Sequence, residues 1–568
     1  MARFFGWWGK VLRIDLTGGR IVEEALCPKI ARDYIGGRGL GTHTMLTGLA
    51  PCCDPLGPEN LMIMATGPLT GTCVPGAEHC MVMTKSPLTG AVTFSNSWGR
   101  FPAVLKQAGI DMIVFSGSAP SPVYLWIDQG RPEIRPADHL WGMDADETDS
   151  ALRIETHRDI RVACIGPAGE NGVRFAGIIS DKHRASGRSG AGAVMGAKKL
   201  KAVAVRGDLP VPLWNENAFV RCARKYCGKF KQGLNGGNLR SNDPDVAGFE
   251  REGEGPECET LYAMGAKCGV YHPGALSQAS LICDGQGMDT IAMGCTIACA
   301  MALSEKGFLP EDDVGLGRPL RYGDAEALVQ LTRLTVQAEG FGKVLAEGSF
   351  CLAKRYGHSE LAIVARGQEF SDFDPHAEQA MGLACATSPI NASRVLGDPA
   401  NIGSFGLSKT IDLLAREGDA KLVMNRQNHF AVIDAAGLYP YLSVRYPMNR
   451  NEESRLDGIR ELLNAATGVA YTLEELLQAG ERIFNAERLF LLSSGANAGG
   501  DTLTRHTLED PMPDGQCKGM GDRLKEMTGD YYRLRGWDEA GRPSLSKLRT
   551  LGLSDIRIKE FGCQVNVP

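Results

Sequence analysis

The pattern of apolar and polar positions in the first 205 residues, short alternating or apolar segments that end at glycine turns, is typical of β-strands. Residues 9–16 alternate in this way and end at a glycine turn. Residues 122–127 pass through a second glycine turn into 132–134, which predicts a hairpin. Two continuous apolar runs, 60–65 and 200–205, predict buried strands. This part of the chain is therefore expected to be rich in β-structure.

From about residue 215 onward the apolar positions recur with the period of an α-helix. A proline-containing connector at 207–212 precedes this region. The segments predicted to be helices are 259–269, 274–284, 290–306, 324–339, 342–356, 409–438 and 472–494. The predicted fold class is α+β, with a β-rich N-terminal domain at 1–207 and two largely helical domains at 208–370 and 371–568.

Composition limits the possible functions. The 568 residues are too many for one compact core, and 43% hydrophobic with 23% charged residues is ordinary for a globular protein. A net charge of −6 disfavours nucleic-acid binding. Because no apolar run could span a bilayer and no signal-peptide pattern is found, a cytoplasmic location is expected. Most of the seventeen cysteines are then expected to be buried free thiols.

Glycine-rich segments punctuate the N-terminal region. Residues 36–41 lack the spacing of a dinucleotide loop, and no Lys-Ser/Thr follows, so a structural turn is the favoured interpretation. Residues 166–171 are followed by Arg174, Arg184 and Arg188. Glycine-turn N–H groups and guanidinium groups suit the phosphates of a cofactor. A solvated basic loop explains this second segment equally well.

Several motifs occur in a fixed order along the first 205 residues: 67–72, 85–90, 95–96, 140–142, 165–171 and 190–201. In these motifs the chain resembles the aldehyde ferredoxin oxidoreductase family, and the resemblance resumes from Gly255 to at least Leu438. Membership implies an oxidoreductase that carries tungsten, or sometimes molybdenum, between two pterin dithiolenes. It also implies a β-rich base that holds this cofactor, with two largely helical domains above it.

The resemblance also assigns cofactor-binding residues. Two Asp-x-x-Gly motifs embrace the pterins in the family, and their counterparts here are Asp284, Gly287, Asp289, Asp434, Gly437 and Leu438. The carboxylates are expected to accept hydrogen bonds from pterin N–H groups, and the glycines to let the backbone approach the rings. Further expected cofactor contacts are Asn96, His79, Gly169, Asn171, Arg174 and Arg188, with Mg²⁺ bridging the pterin phosphates. His79 lies near the position of a family arginine that faces those phosphates.

The chain departs from the family at its iron–sulfur cluster. The family holds one [4Fe–4S] cluster with a Cys-x-x-Cys-x-x-x-Cys segment and a fourth cysteine that closes the second Asp-x-x-Gly motif. Here the corresponding segment has only Cys222 and Cys227, and the fourth position is Tyr439. The cluster is therefore predicted to be absent. Cys295 and Cys299 could help to build a substitute, although two buried core thiols are the favoured interpretation.

The expected catalytic residues also differ from those of the family. Arg394 corresponds to an active-site histidine of the family, and arginine stays charged, so it suits clamping a carboxylate or an oxyanion rather than moving protons. His376 is a candidate for the missing acid–base role, with a surface or core role equally open.

Cys258, in the sequence Gly-Pro-Glu-Cys-Glu-Thr, replaces an aromatic residue of the aldehyde-oxidising members. A thiolate is a good ligand for a soft metal, and the benzoyl-CoA-reducing branch of the family has a cysteine on its tungsten. Cys258 is therefore a candidate metal ligand, with Glu257 and Glu259 as proton-transfer groups. The alternative, that Cys258 only fills the space of the lost ring, stays open.

The predicted function is that of a tungsten (or molybdenum) bis-pterin oxidoreductase acting on an aldehyde, a carboxylic acid, or an acyl or aryl thioester. Electrons are expected to pass through an iron–sulfur (ferredoxin-like) partner subunit, in a homodimer or hetero-oligomer, and reduction of an activated acid or aryl thioester is preferred to simple aldehyde oxidation. Two alternatives stay open: a non-catalytic structural subunit of a redox complex, and a non-redox metal-pterin hydratase.

Overall fold

A computed structural model describes residues 4–182, 184–234, 256–371, 374–376, 379–390, 392, 419–440, 452–497, 499–511 and 523–554. For residues 227–234, 419, 452–455 and 506 it describes the backbone alone.

The N-terminal region contains two six-stranded sheets. The strands of the first sheet are β1 Lys10–Asp15, β2 Arg20–Ala25, β3 Met62–Thr66, β4 His79–Lys85, β5 Val92–Trp98 and β6 Met112–Ser116, in the order β2-β1-β6-β3-β4-β5. The strands of the second sheet are β7 Val123–Asp128, β8 Arg131–Pro136, β9 Arg161–Cys164, β10 Ile178–Ser180, β11 Arg184–Ser186 and β12 Leu200–Arg206, in the order β11-β10-β9-β12-β7-β8. The neighbours β1 and β6 run parallel, as do β7 and β12.

Successive residues of the central strands enter two different cores, because neighbouring side chains of a strand point to opposite faces of the sheet. In β3, Met62 and Met64 pack in the core between the two sheets. Ile63 and Ala65 of the same strand pack on the opposite face, against helices from the C-terminal part of the chain. The first sheet therefore lies between the second sheet and the C-terminal helices.

The remaining structure is mainly helical. The α-helices are Pro28–Tyr34, Gly37–Gly48, Arg100–Gln107, Ala145–Glu155, Pro167–Glu170, Ala191–Ala197, Glu216–Leu234, Cys258–Thr260, Pro273–Gln286, Thr290–Glu305, Glu311–Val314, Ala325–Gln337, Gly342–Leu345, Ser349–Arg355, Gln379–Thr387, Asp419–Ala436, Glu452–Thr467, Leu473–Ser493, Arg505–Glu509, Leu524–Arg535 and Leu545–Thr550. A short hairpin of β13 Val364–Ala365 and β14 Gln368–Glu369 lies between them. Among the described helices, none is both long enough and apolar enough to cross a bilayer.

These elements confirm the predicted fold class and most of the predicted elements. The three predicted strands correspond to β1, β3 and β12, and the predicted hairpin is formed by β7 and β8. The prediction of one helix over 342–356 is wrong, because the backbone turns at Gly348, whose φ is 86°. The predicted helix at 259–269 is a short α-helical turn followed by the π-helix Leu261–Ala266. Of the predicted helix at 409–438, residues 409–418 lie outside the described residues.

The interpretation of residues 36–41 as a simple turn is also wrong. The helix Gly37–Gly48 begins there, with Gly36 as its N-cap residue. A Cβ at Gly39 would lie 2.0 Å from the carbonyl oxygen of Tyr34, so the glycine is needed for close packing. The same first turn carries Arg38, which is completely buried. This arginine enters the site described next.

Candidate cofactor site

The two Asp-x-x-Gly motifs adopt the same local structure. Each begins in the last turn of a helix, and each glycine ends that helix in the left-handed conformation, with φ of 75° at Gly287 and 84° at Gly437. After each glycine a main-chain N–H reaches back five residues: Met288 donates to Cys283, and Leu438 donates to Ile433. This is the capping pattern that an αL glycine permits at a helix C-terminus. The glycines are thus required by backbone conformation.

Each motif also meets a glycine loop of one sheet. A Cβ at Gly67 would lie 2.2 Å from the main-chain nitrogen of Gly437, and a Cβ at Gly437 would lie 2.2 Å from Thr70 Oγ1. A Cβ at Gly166 would lie 2.4 Å from the carbonyl oxygen of Gln286. The second motif is therefore seated on the loop after β3, and the first motif on the loop after β9.

A buried ionic network surrounds the second motif. Arg38 donates from Nε and Nη2 to the two carboxylate oxygens of Glu487, at 2.8 and 2.7 Å, and from Nη1 to Asp434 Oδ2 at 3.2 Å. Thr42 donates to Glu487 Oε1 at 2.9 Å. Asp434 Oδ1 is buried and has no hydrogen-bond partner among the described residues. Burial raises the pKa of Asp434 from 3.8 to about 7, against the opposing effect of Arg38.

Close to this network lies His79, on β4. His79 Nε2 is 3.0 Å from Asn96 Oδ1, so this nitrogen carries the proton and the carbonyl oxygen accepts. His79 Nδ1 is then an acceptor, and it has no partner among the described residues. Burial lowers the pKa of His79 from 6.5 to about 4, although the bond to Asn96 opposes this shift. The imidazole is therefore neutral near pH 7, unlike an arginine at the same position.

Tyr439, the residue that replaces the family cysteine, belongs to an aromatic stack. Its ring lies 6.2 Å from that of His79 and stacks on Trp98 at 5.3 Å, with an interplanar angle of 15°. The guanidinium of Arg184 covers Trp98, 4.0 Å from the ring centroid. Tyr439 and Trp98 are both half-buried. The stack therefore connects the buried imidazole to the molecular surface.

The first motif ends beside a second charged group. Asp289 caps the helix Thr290–Glu305 by accepting from the N–H of Ile291 at 3.0 Å. Arg188 Nε lies 3.5 Å from Asp289 Oδ2, and Arg188 Nη2 donates to the carbonyl oxygen of Glu369 at 2.6 Å. Burial raises the pKa of Asp289, and Arg188 opposes that shift. Asp284, at the start of the motif, is half-buried and accepts from Ser280 at 3.4 Å.

Cys258 lies near this end of the first motif. It begins the helix Cys258–Thr260, and Thr260 Oγ1 is 2.7 Å from Thr290 Oγ1, next to Asp289. Cys258 and Glu257 are exposed, and Glu259 is half-buried. The structure thus brings the predicted metal ligand and its two neighbouring carboxyl groups to the same region as Asp289.

Comparison of the whole chain with known families shows which family it belongs to. The family model "Aldehyde ferredoxin oxidoreductase, N-terminal domain" matches residues 11–207, and "Aldehyde ferredoxin oxidoreductase, domains 2 & 3" matches residues 219–553. This chain belongs to the aldehyde ferredoxin oxidoreductase family. It is an oxidoreductase of that type.

Two relatives and one solved structure extend this assignment. The chain is 37% identical to the tungsten-containing aldehyde ferredoxin oxidoreductase of Pyrococcus furiosus, over 97% of this chain and 100% of the relative. It is 29% identical to the "Aliphatic sulfonate oxidoreductase, WOR-like subunit" of the same organism, over 97% and 98%. The fold is similar to that in the active-site complex BamBC of benzoyl coenzyme A reductase with 1,5-dienoyl-CoA, with a TM-score of 0.84, 23% identity and 98% coverage of each chain.

Three residues assigned to the cofactor by family resemblance have other partners in this structure. Gly169 packs against the helix Ala191–Ala197, where a Cβ at Gly196 would lie 2.0 Å from its carbonyl oxygen. Asn171 is exposed and donates to the carbonyl oxygen of Val336 at 2.8 Å. Arg174 pairs with Glu347 at 2.7 Å. The contacts of Asn171 and Arg174 thus join the N-terminal region to the middle helices, whereas that of Gly169 lies within the N-terminal region. The roles of all three residues toward the cofactor stay predictions.

The predicted acid–base residues are placed differently. Arg394 lies outside the described residues. His376 is buried, with Nδ1 2.6 Å from Asp374 Oδ1 and Nε2 2.9 Å from the carbonyl oxygen of Asp510. Both partners are acceptors, so the ring is held by both nitrogens. Its acid–base role stays a prediction.

The remaining cysteines of interest lie on two helices, with Cys295 and Cys299 one turn apart on the helix Thr290–Glu305. Cys222 is half-buried on the helix Glu216–Leu234, and the side chain of Cys227 lies outside the described residues. Cys299 is buried, with Sγ 3.8 Å from the carbonyl oxygen of Ser349. Cys295 is half-buried, 3.3 Å from Lys267 Nζ. Among the described residues, no three His, Cys, Asp or Glu side chains are grouped so that they could hold a metal ion.

Sequence reasoning missed Arg38, Glu487 and Glu369. A signal was present for Glu487, because a charged residue interrupts the buried side of the helix Leu473–Ser493. For Arg38 the glycines around it obscured the helix. For Glu369 no period of the surrounding sequence marks the residue as buried.

The donor and acceptor chemistry of the site fits a pterin. Asp434 Oδ1 and His79 Nδ1 are buried acceptors without partners among the described residues, and a pterin ring offers N–H donors. Leaving a buried acceptor unpaired costs free energy, so such atoms indicate a ligand with matching donors. Near Asp434, the backbones at Gly67 and Gly437 approach each other so closely that neither position has room for a side chain.

Proposed function

We propose that this chain is a tungsten, or molybdenum, bis-pterin oxidoreductase that acts at the level of an aldehyde, a carboxylic acid or a thioester. The observation that carries the proposal is the buried carboxyl of Asp434, held by Arg38 through one oxygen while the other has no partner among the described residues. Among the possible substrates, an activated acid or aryl thioester is preferred over a free aldehyde, because Arg394 replaces the family's histidine.

The chain's own residues would hold the cofactor and the substrate. Asp434 Oδ1 and His79 Nδ1 would accept pterin N–H groups, and Asn96 would fix the His79 ring. When bound, the metal-pterin cofactor supplies a two-electron redox centre. Cys258 would bind the metal as a thiolate. Arg188 with Asp289 would line the other pterin, and Mg²⁺ would join the pterin phosphates.

The protein would orient the substrate and manage protons around that centre. Glu257 and Glu259 flank Cys258, so their carboxyl groups would accept or return protons of the substrate. Arg394 would clamp a carboxylate or a developing oxyanion through its guanidinium. His79 suits neither proton transfer nor the binding of an anion, because its imidazole is neutral and is hydrogen-bonded to Asn96.

Electrons would pass through an iron–sulfur partner subunit. The family's fourth cluster cysteine is Tyr439 here, and a phenol is a poor ligand for an iron–sulfur site. The stacked rings of Tyr439 and Trp98 lead from the second motif to the surface, so we propose that the partner binds over Trp98.

Metal and pterin analysis of anaerobically purified protein tests the proposal. We expect about one tungsten or molybdenum atom and two pterins per chain, with no stoichiometric acid-labile sulfide. Protein without metal and pterin would instead support the non-catalytic subunit. A metal whose oxidation state stays fixed during turnover would support the hydratase. Dye-coupled assays with aldehydes, acids and aryl thioesters would then identify the substrate class.

A variant tests the electron path. Trp98→Ala should slow electron transfer from reduced ferredoxin, while the rate with a small viologen dye stays unchanged, because a small donor does not need that surface. The matched control is Trp214→Ala, which removes an exposed tryptophan elsewhere. Equal rates with ferredoxin for Trp98→Ala and the parent protein would reject this path.

A further inference from the structure

Glu369 is a completely buried carboxyl that no predicted role uses. It lies on β14, with its side chain between Arg188 and the helix Ser349–Arg355. Glu369 Oε1 accepts from the hydroxyl of Ser349 at 2.7 Å and from its main-chain N–H at 3.2 Å. Glu369 Oε2 has no hydrogen-bond partner among the described residues. No donor of the described residues therefore stabilises a negative charge on that second oxygen.

The charges around Glu369 do not balance two ionised carboxyls. The guanidinium of Arg188 faces both Asp289 and the backbone of Glu369. Lys267 is directed to the carbonyl oxygen of Phe370 at 2.6 Å and to Cys295. The remaining titratable groups here are the thiols of Cys295, Cys299 and Cys351, and burial raises the pKa of each, so they stay neutral. One positive charge thus serves two buried carboxyls.

Asp289 is the better site for the negative charge. It lies 3.5 Å from Arg188 Nε and accepts the N–H of Ile291, and both contacts favour a carboxylate. The two bonds from Ser349 reach only one oxygen of Glu369, and no cation of the described residues forms an ion pair with this carboxyl. Burial raises the pKa of both carboxyls, and the charge of Asp289 further raises that of Glu369, while Ser349 and Arg188 oppose the shift of Glu369 without reversing it. The free energy is therefore lower with a proton on Glu369 and a negative charge on Asp289 than with the reverse arrangement.

We propose that Glu369 is a positioning residue that holds a proton at neutral pH and thereby leaves the charge of Arg188 to Asp289. The inference rests on the proposed function, in which Asp289 lines a pterin. An ionised Glu369 would compete for Arg188 and weaken Asp289 as an anionic acceptor. Keeping Glu369 neutral holds the end of the first motif in one charge state.

Infrared spectroscopy of the purified holoenzyme tests the proton directly. With ¹³C-labelled glutamate, a protonated glutamic acid band should shift at neutral pH, and aspartic acid bands such as that of Asp434 should not. Glu369→Gln should lose the shifting band, while Glu347→Gln, which removes an exposed carboxyl beside the same helix, should keep it. Absence of any protonated glutamic acid band in the parent protein would overturn the proposal, whether or not the variant folds.

The pH dependence gives a second readout that a merely structural residue would not change. A raised carboxyl pKa means that the folded protein loses stability as pH rises through that pKa. Glu369→Gln should remove this loss, which begins above the ordinary carboxyl pKa of 4.5. Identical pH profiles for the variant and the parent protein would contradict the proposal. Because the infrared result needs no metal, protein without tungsten would reject the proposed function and leave this inference standing.

Discussion

Arg38 and Glu487 are 449 residues apart in the chain and form a two-pronged ion pair in the protein interior, where both side chains are completely buried. The pair joins the first turn of the helix Gly37–Gly48 to the helix Leu473–Ser493. Arg38 also pairs with Asp434, and this contact places the second Asp-x-x-Gly motif against both helices. The conformation of the candidate cofactor site therefore depends on a contact between the N-terminal and C-terminal regions of the chain.

Glu487→Gln should destabilise the protein strongly. The variant leaves the buried guanidinium of Arg38 with only Asp434 as an anion, and removing one partner of a buried pair costs about 3 kcal/mol or more. Glu481→Gln is the matched control on the same helix, because Glu481 pairs with Lys547 at a partly exposed position where the cost is below about 1 kcal/mol. Thermal unfolding measures both variants. Equal shifts of the unfolding midpoint would contradict the assigned role of Glu487.

Asp434→Asn should lower the cofactor content. If the amide oxygen keeps the bond to Arg38, its NH₂ group replaces the acceptor that faces a pterin N–H. Losing a charge-assisted hydrogen bond weakens binding by about 1.5–3 kcal/mol, roughly tenfold or more. Metal and pterin analysis of the purified variant measures the effect, with Asp457→Asn, in an exposed ion pair with Arg460, as the control. A metal content equal to that of the parent protein would argue against Asp434 as a pterin acceptor.

The sequence was a good guide where one local period decided the structure. Alternation predicts β1, and continuous apolar runs predict β3 and β12. The glycines of both motifs were expected to let the backbone approach a cofactor, and in the structure they end helices in the left-handed conformation. It was a poor guide to Arg38. The glycine-rich segment around Arg38 resembles a turn, but it forms a helix in which Gly39 packs closely on Tyr34. The partners of Asn171 and Arg174 lie in distant helices, and no local pattern encodes such contacts.

Cys258→Ala should remove one sulfur from the metal's coordination sphere. Cys258 is exposed and close to Asp289 through the contact of Thr260 with Thr290, so truncation should not disturb a packed core. X-ray absorption on the tungsten-loaded variant and parent protein counts the metal–sulfur contacts. The control is Cys295→Ala, which removes a half-buried thiol beside Lys267. An unchanged sulfur count in Cys258→Ala would leave Cys258 as a residue that fills space.

His79→Gln should make the protein less sensitive to acid. The folded-state pKa of His79 is about 4 and its ordinary value is 6.5. Between these values the unfolded chain binds more protons, so His79 costs stability as pH falls through this window. The full effect is on the order of 3 kcal/mol. Glutamine keeps a donor for Asn96 and does not titrate.

The sign of this effect separates His79 from Asp434. The pKa of Asp434 is raised to about 7, so its contribution to stability is lost as pH rises from about 4 toward 7. The two groups change the folding stability in opposite directions as the pH falls. Without His79, the pH dependence that is due to Asp434 should therefore be observed. The unfolding midpoint of His79→Gln should then rise on acidification relative to the parent protein, while His139→Gln, at an exposed surface pair, should match the parent. Parallel midpoint-against-pH curves for His79→Gln and the parent protein would show that His79 is not buried as a neutral imidazole.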